Sequence, residues 1–122
     1  MIKDMRQEMI EHDQIDGIVA SAGVEIAAEI MDAFWRSTDK LMTDMAEALK
    51  NGSLKDAAGF AHGLKGSAAN VGAMAIFDET QIFETFCNTN DERAAEAALE
   101  KIITAVDKSR KAFVTYFKNA AA

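Results

Sequence analysis

The segment Ser53-Leu54-Lys55-Asp56-Ala57-Ala58-Gly59-Phe60-Ala61-His62-Gly63-Leu64-Lys65-Gly66-Ser67-Ala68-Ala69-Asn70-Val71 decides how this chain folds. Ser53 is a good helix N-cap, with Asp56 three positions on in a near capping-box arrangement. On a helical wheel Ala57, Phe60, Leu64, Ala68 and Val71 gather on one side, which makes that side the core face. His62 falls nearly opposite. Within about 60° of it lie Lys55, Ala58, Gly59, Lys65, Gly66 and Ala69, so cations and very small residues surround one imidazole.

This composition opposes local stability. Gly59, Gly63 and Gly66 each cost roughly 0.5–1 kcal/mol relative to alanine inside a helix, about 2 kcal/mol together. Burial of Phe60 and Leu64, at about 1.5–3 kcal/mol each, offsets that. Surface glycines add nothing to a core, however, so a purely structural account leaves them unexplained. A functional account does explain them: with no Cβ at 66 and only a methyl at 69, another protein can approach the ring closely. Lys65, at i+3 from His62, lies on the neighbouring turn of the same face. Its ammonium is placed to neutralise a phosphoryl group on the imidazole, and a neutral imidazole is a competent nucleophile near neutral pH. A lone surface histidine is by default only a polar residue; the small neighbours and the spaced lysine reverse that here. His12, between Glu11 and Asp13, has no such setting and reads as a plain polar residue.

Outward from this segment, helix breaks are expected at Asp13–Gly23, Asn51-Gly52-Ser53, near Val71-Gly72, and at Asn88-Thr89-Asn90-Asp91. Upstream, residues 24–50 carry Ile26, Ile30, Phe34, Leu41, Met45 and Leu49 at mostly three- and four-residue steps, one apolar stripe ended by Asn51-Gly52. Downstream, Ile76, Phe77, Thr80, Phe83 and Cys87 mark the apolar side of a helix over 73–87. A last helix starts at Asn90 or Asp91 and runs to about Lys118, with Leu99, Ile102, Ile103, Val106, Phe113 and Phe117 inward. Residues 2–12 form a further amphipathic candidate helix. The expected fold is all-α: an antiparallel up-down four-helix bundle over residues 14–122, preceded by a short N-terminal helical extension over 1–13.

Composition agrees. The chain has 122 residues, 49% of them apolar and 27% charged, and no proline. That length suits one domain with a real core, and the residue mix is that of a helical protein. The net charge of −7 argues against nucleic acid and anionic membranes as partners. No apolar run approaches the roughly 18–20 residues of a membrane span, and the first residues lack a signal peptide's apolar core. The single cysteine, Cys87, cannot form an internal disulfide, as suits a reducing cytoplasm, the expected location.

The stretch Ala61-His62-Gly63-Leu64-Lys65-Gly66-Ser67-Ala68-Ala69-Asn70-Val71-Gly72-Ala73 closely resembles the signature of histidine-containing phosphotransfer (HPt) domains of multistep phosphorelays. Ile76 matches the family's apolar position in the next helix, Phe83-Glu84 stands at its usual Leu-Glu pair, and Phe34, Leu41 and Ala48-Leu49 before Asn51-Gly52 resemble its preceding helix. The resemblance covers about residues 14–118. It implies that His62 is the phosphoacceptor through Nε2, that Lys65 stabilises the phosphoryl group, and that Gly66 leaves room for a receiver domain. Gln81 is a candidate polar neighbour of the phosphoryl group. Gly63 departs from the serine usual after the histidine, and Phe77 and Thr80 from the usual small residue and cysteine; none of these touches the chemistry.

The implied reaction is a reversible relay: a receiver phospho-aspartate, or a sensor or hybrid histidine kinase system, donates to His62, which passes the group to a response regulator. The receiver would supply Mg²⁺, and no cofactor or metal of this chain's own is expected. No GxxxxGK[ST] phosphate loop is present, so the chain is expected to be a carrier rather than a kinase; a monomer is expected. One alternative is a helical module that binds receiver-like partners without carrying phosphate. Another is an enzyme using His62 as acid or base, which would need a concave pocket there. Trp35, off its helix's main stripe, is a candidate docking residue, although core packing is the commoner fate of an isolated tryptophan.

Overall fold

The computed structural model describes residues 9–121 and contains five helices: α1 (His12–Ala22), α2 (Val24–Lys50), α3 (Leu54–Val71), α4 (Met74–Asn88) and α5 (Glu92–Ala121). Helices α2 to α5 pack in sequence, and α5 closes against α2, as expected of an up-down four-helix bundle. The short connections carry their own explanation. Gly52 (φ +75°) and Gly72 (φ +79°) take the left-handed conformation just after α2 and α3. The next residues then fold back, Ser53 N–H donating to Ala48 O at 2.8 Å and Ala73 N–H to Ala68 O at 2.8 Å, so the last carbonyls of both helices are satisfied. Asp91 starts α5 by accepting the Ala94 N–H at 3.1 Å. Ser53 holds the N-cap position of α3, but its hydroxyl makes no capping bond; only its backbone carbonyl serves the helix, accepting from Ala57 N–H at 3.0 Å.

A short additional helix, α1, precedes the four-helix bundle. Residues 13–22, expected as a break, belong to α1; of the candidate helix 2–12, His12 begins α1, residues 9–11 are not helical, and residues 2–8 lie outside the described residues. Gly17 and the polar residues around it suggest a break. Ile15, fully buried, and Ile18, packed on the core, instead give α1 an apolar edge, and Gly23 alone ends it. Residue 13, where sequence divides extension from bundle, lies in the first turn of α1, and Ile10 and Ile15 on either side of it are buried in one core. Residues 9–11 are pinned to the α3–α4 corner. Glu11 N–H donates to Gly72 O at 2.7 Å, and Ala75 N–H to Met9 O at 3.3 Å.

Phe83, Phe113, Met45, Leu64, Ile76 and Ile102 fill the centre. Two parts of the expected stripes face solvent. Ile26 is 47% exposed and Ile30 is also exposed, while Ala27 and Met31 take the core positions. Steps of four residues drift about 40° each on a helix. Counting back in fours from buried Phe34 therefore carries Ile30 and then Ile26 off the core face. Ile103 is exposed for a simpler reason: its neighbour Ile102 holds the inward position. Trp35 packs in the core margin, its ring 4.9 Å from Phe34 and 5.8 Å from Phe113, with the Arg110 guanidinium 5.0 Å over its face.

Candidate functional site

Helix α3 presents His62 as the wheel requires. Its side chain is 73% exposed, while Ala57, Leu64 and Ala68 on the opposite side are fully buried. One member of the expected face is wrong: Ala58 is buried. It belongs, like Ala61, to the buried core. Phe60, placed in the core by periodicity, is only partly buried.

Glu84, on α4, is the residue that sequence reasoning did not single out. One carboxylate oxygen, Oε2, lies 3.2 Å from His62 Nδ1, and the other, Oε1, lies 2.8 Å from Lys65 Nζ. A carboxylate only accepts hydrogen bonds, so Nδ1 carries the proton and donates it. In the neutral ring this leaves the lone pair on Nε2. Burial pushes the Glu84 carboxyl upward in pKa, but the hydrogen bond and charge of Lys65, followed by those of His62, outweigh it and hold the group below the ordinary glutamate value. Glu84 is thus an anion at neutral pH. Its side chain is 17% exposed and that of Lys65 22%, so this ion pair is partly shielded beneath a freely exposed imidazole.

The remaining candidates sort by distance from this pair. Gly66 lies on the open side of α3, and a Cβ added there would meet nothing within 4 Å; the same holds for Gly59 and Gly63. Among the described residues no packing demands any of the three glycines. Gln81, one turn before Glu84 on α4, is exposed; its backbone carbonyl accepts from the Thr85 hydroxyl at 3.0 Å, and it is Glu84 that reaches the imidazole. The signal for Glu84 was legible only as the second residue of Phe83-Glu84, since a wheel of α3 alone cannot show a partner on α4. His12 stacks at a tilt against Tyr116, ring centroids 6.0 Å apart, and takes no part in the His62 pair.

The family model of the Hpt domain matches residues 29–112, well over half of the chain. The chain belongs to the Hpt domain family, whose members carry phosphoryl groups on histidine in phosphorelays. Solved structures share the fold. Histidine-containing phosphotransfer protein B from Pseudomonas aeruginosa superimposes with a TM-score of 0.84 at 16% identity, over 91% of this chain and 96% of that one. A maize histidine-containing phosphotransfer protein gives 0.82 at 19% identity, over 99% and 94%. One from Medicago truncatula gives 0.80 at 21%, over 96% and 84%. No curated protein matches the chain by sequence. None of the described helices is long and apolar enough to cross a membrane.

Proposed function

We propose that this chain is a phosphorelay intermediate in which His62 accepts a phosphoryl group on Nε2 from a receiver domain's phospho-aspartate and returns it to the aspartate of another receiver. The observation that carries this reading is the contact between Glu84 and His62 Nδ1, which leaves Nε2 as the one free nucleophilic nitrogen of an exposed ring. The Nε2 lone pair forms the N–P bond as the P–O bond to the aspartate breaks, and the freed carboxylate keeps that bond's electrons. The ring then carries a proton on Nδ1 and a phosphoryl group on Nε2, and its positive charge is met by Glu84. Reversal needs no further co-reactant.

Such a transfer is mostly positioning and charge neutralisation. Lys65 is held beside the ring by Glu84, on the turn from which its ammonium meets phosphoryl oxygens. Gly66 leaves the approach to Nε2 clear of side chains. Mg²⁺ and the acceptor aspartate belong, in this reading, to the receiver, and the relay operates in the cytoplasm, where Cys87 stays a thiol. The test is transfer profiling: the chain is mixed with the phosphorylated receiver domains of its source organism. Label that is acid-labile and base-stable is expected within seconds to minutes from a small subset of receivers. Absence of such label with every receiver would overturn the proposal in favour of a binding module.

A further inference from the structure

Lys55 lies in the first turn of α3, seven residues and about 10.5 Å along the helix axis before His62, on the same exposed face. Three facts about it have no structural explanation. It makes no ion pair among the described residues. It places a cation at the positive end of the helix dipole, where an anion is the favourable choice. It also shares the His62 face with Lys65 and the small residues Gly59, Gly66 and Ala69, in a chain of net charge −7.

The chemistry of the partner supplies a reason, and the inference rests on the function proposed above. A protein that receives phosphoryl groups on a carboxylate and holds Mg²⁺ must gather several carboxylates, because Mg²⁺ is bound through carboxylate and phosphate oxygens. A mouth lined with carboxylates repels an acidic chain unless the meeting surface is locally complementary. On this chain the α2 side of the face is itself acidic, with Asp44, Glu47 and Asp56 around a hollow beside Phe60. Lys65 is paired with Glu84, which leaves Lys55 as the cation of the His62 face without an ion pair among the described residues. We infer that Lys55 is a docking cation for the receiver: it meets a carboxylate on the rim of the acid-lined mouth that His62 enters, and so fixes which way round the partner sits. It touches no reacting atom and is a recognition residue.

The test compares wild type with Lys55→Glu and Lys55→Gln, using the receiver domain that transfers fastest to the wild-type chain. At low salt, Lys55→Glu is expected to lower the second-order transfer rate about five- to tenfold and Lys55→Gln less, with the difference shrinking below about twofold at 0.5 M salt. Phosphorylation of His62 by phosphoramidate, a small donor with no rim, should stay within about twofold. The free Lys55→Glu chain should melt no lower than wild type, because its charge now suits the helix dipole. Lys108→Glu, the same charge change on α5, serves as the control and should transfer as wild type does. Equal rates for Lys55→Glu and wild type at low salt would overturn the inference and leave the phosphocarrier reading standing. Equal slowing by Lys108→Glu would also overturn it, since net charge rather than docking would then be the cause. If wild type takes label from no receiver, the proposed function falls and the inference with it.

Discussion

At His62 the two ring nitrogens are made unequal by a residue on a different helix. Glu84 accepts from Nδ1–H and so leaves the lone pair on Nε2 in the neutral ring, while its other oxygen holds Lys65. Removing the carboxylate with Glu84→Ala should slow phosphorylation by phosphoramidate by about tenfold or more. The ring ¹⁵N resonances should at the same time shift from the Nδ1–H tautomer toward a mixture, a change that a merely structural role would not produce. Glu84→Gln, whose amide oxygen can still accept from Nδ1–H, should restore part of the rate. The acid side follows from the sign of the shift. The Glu84 pKa is lowered on folding, so its contribution to stability is present above the ordinary glutamate value and is lost as pH falls through the folded one. The gap between the melting temperatures of wild type and Glu84→Gln should accordingly narrow below about pH 4. Of this site, His62, Lys65 and Gly66 were legible because they share one helix and therefore one periodicity. Glu84 was hidden because its contact depends on how α4 packs, and Gln81, one turn away on the same helix, was the nearer guess.

Helix α3 carries two kinds of glycine with opposite consequences. Gly59, Gly63 and Gly66 have helical backbones and open space where a Cβ would go. Alanine at each should therefore stabilise the free chain by about 0.5–1 kcal/mol in denaturant unfolding. Gly66→Ala should do so while slowing transfer from a receiver severalfold, with phosphoramidate labelling little changed. Gly72 is the reverse case. Its φ of +79° disfavours any side chain, and a Cβ would lie 2.6 Å from the Glu11 carbonyl oxygen. Gly72→Ala should cost about 2–3 kcal/mol in the same measurement. The sequence marked this break correctly but could not show that residues 9–11 press against it. The ends of α2, α3 and α5 were readable because Gly52, Gly72 and Asp91 act locally. Helix α1 was not: Ile15 and Ile18 form too short a pattern to outweigh Gly17, and their burial depends on partners distant in sequence.

At the scale of the whole molecule, the bundle brings His62 on α3 and Glu84 on α4 together at a surface, beside glycines with open space around them. The four-helix arrangement was legible from stripes whose Leu, Ile and Phe positions fill a common core. The drift of Ile26 and Ile30 to solvent was not, because a stripe counted in fours leaves the core face within two steps. In the proposed relay the receiver domain completes the transfer geometry around the exposed His62 ring. The central claim is that His62 is the residue that carries the phosphoryl group. The most direct measurement is phosphoryl incorporation from a phosphorylated receiver domain into wild type and into His62→Gln side by side, with helical content and melting checked to be equal. Wild type is predicted to take up about one acid-labile, base-stable phosphoryl group per chain and His62→Gln none. Equal incorporation into His62→Gln would contradict the account.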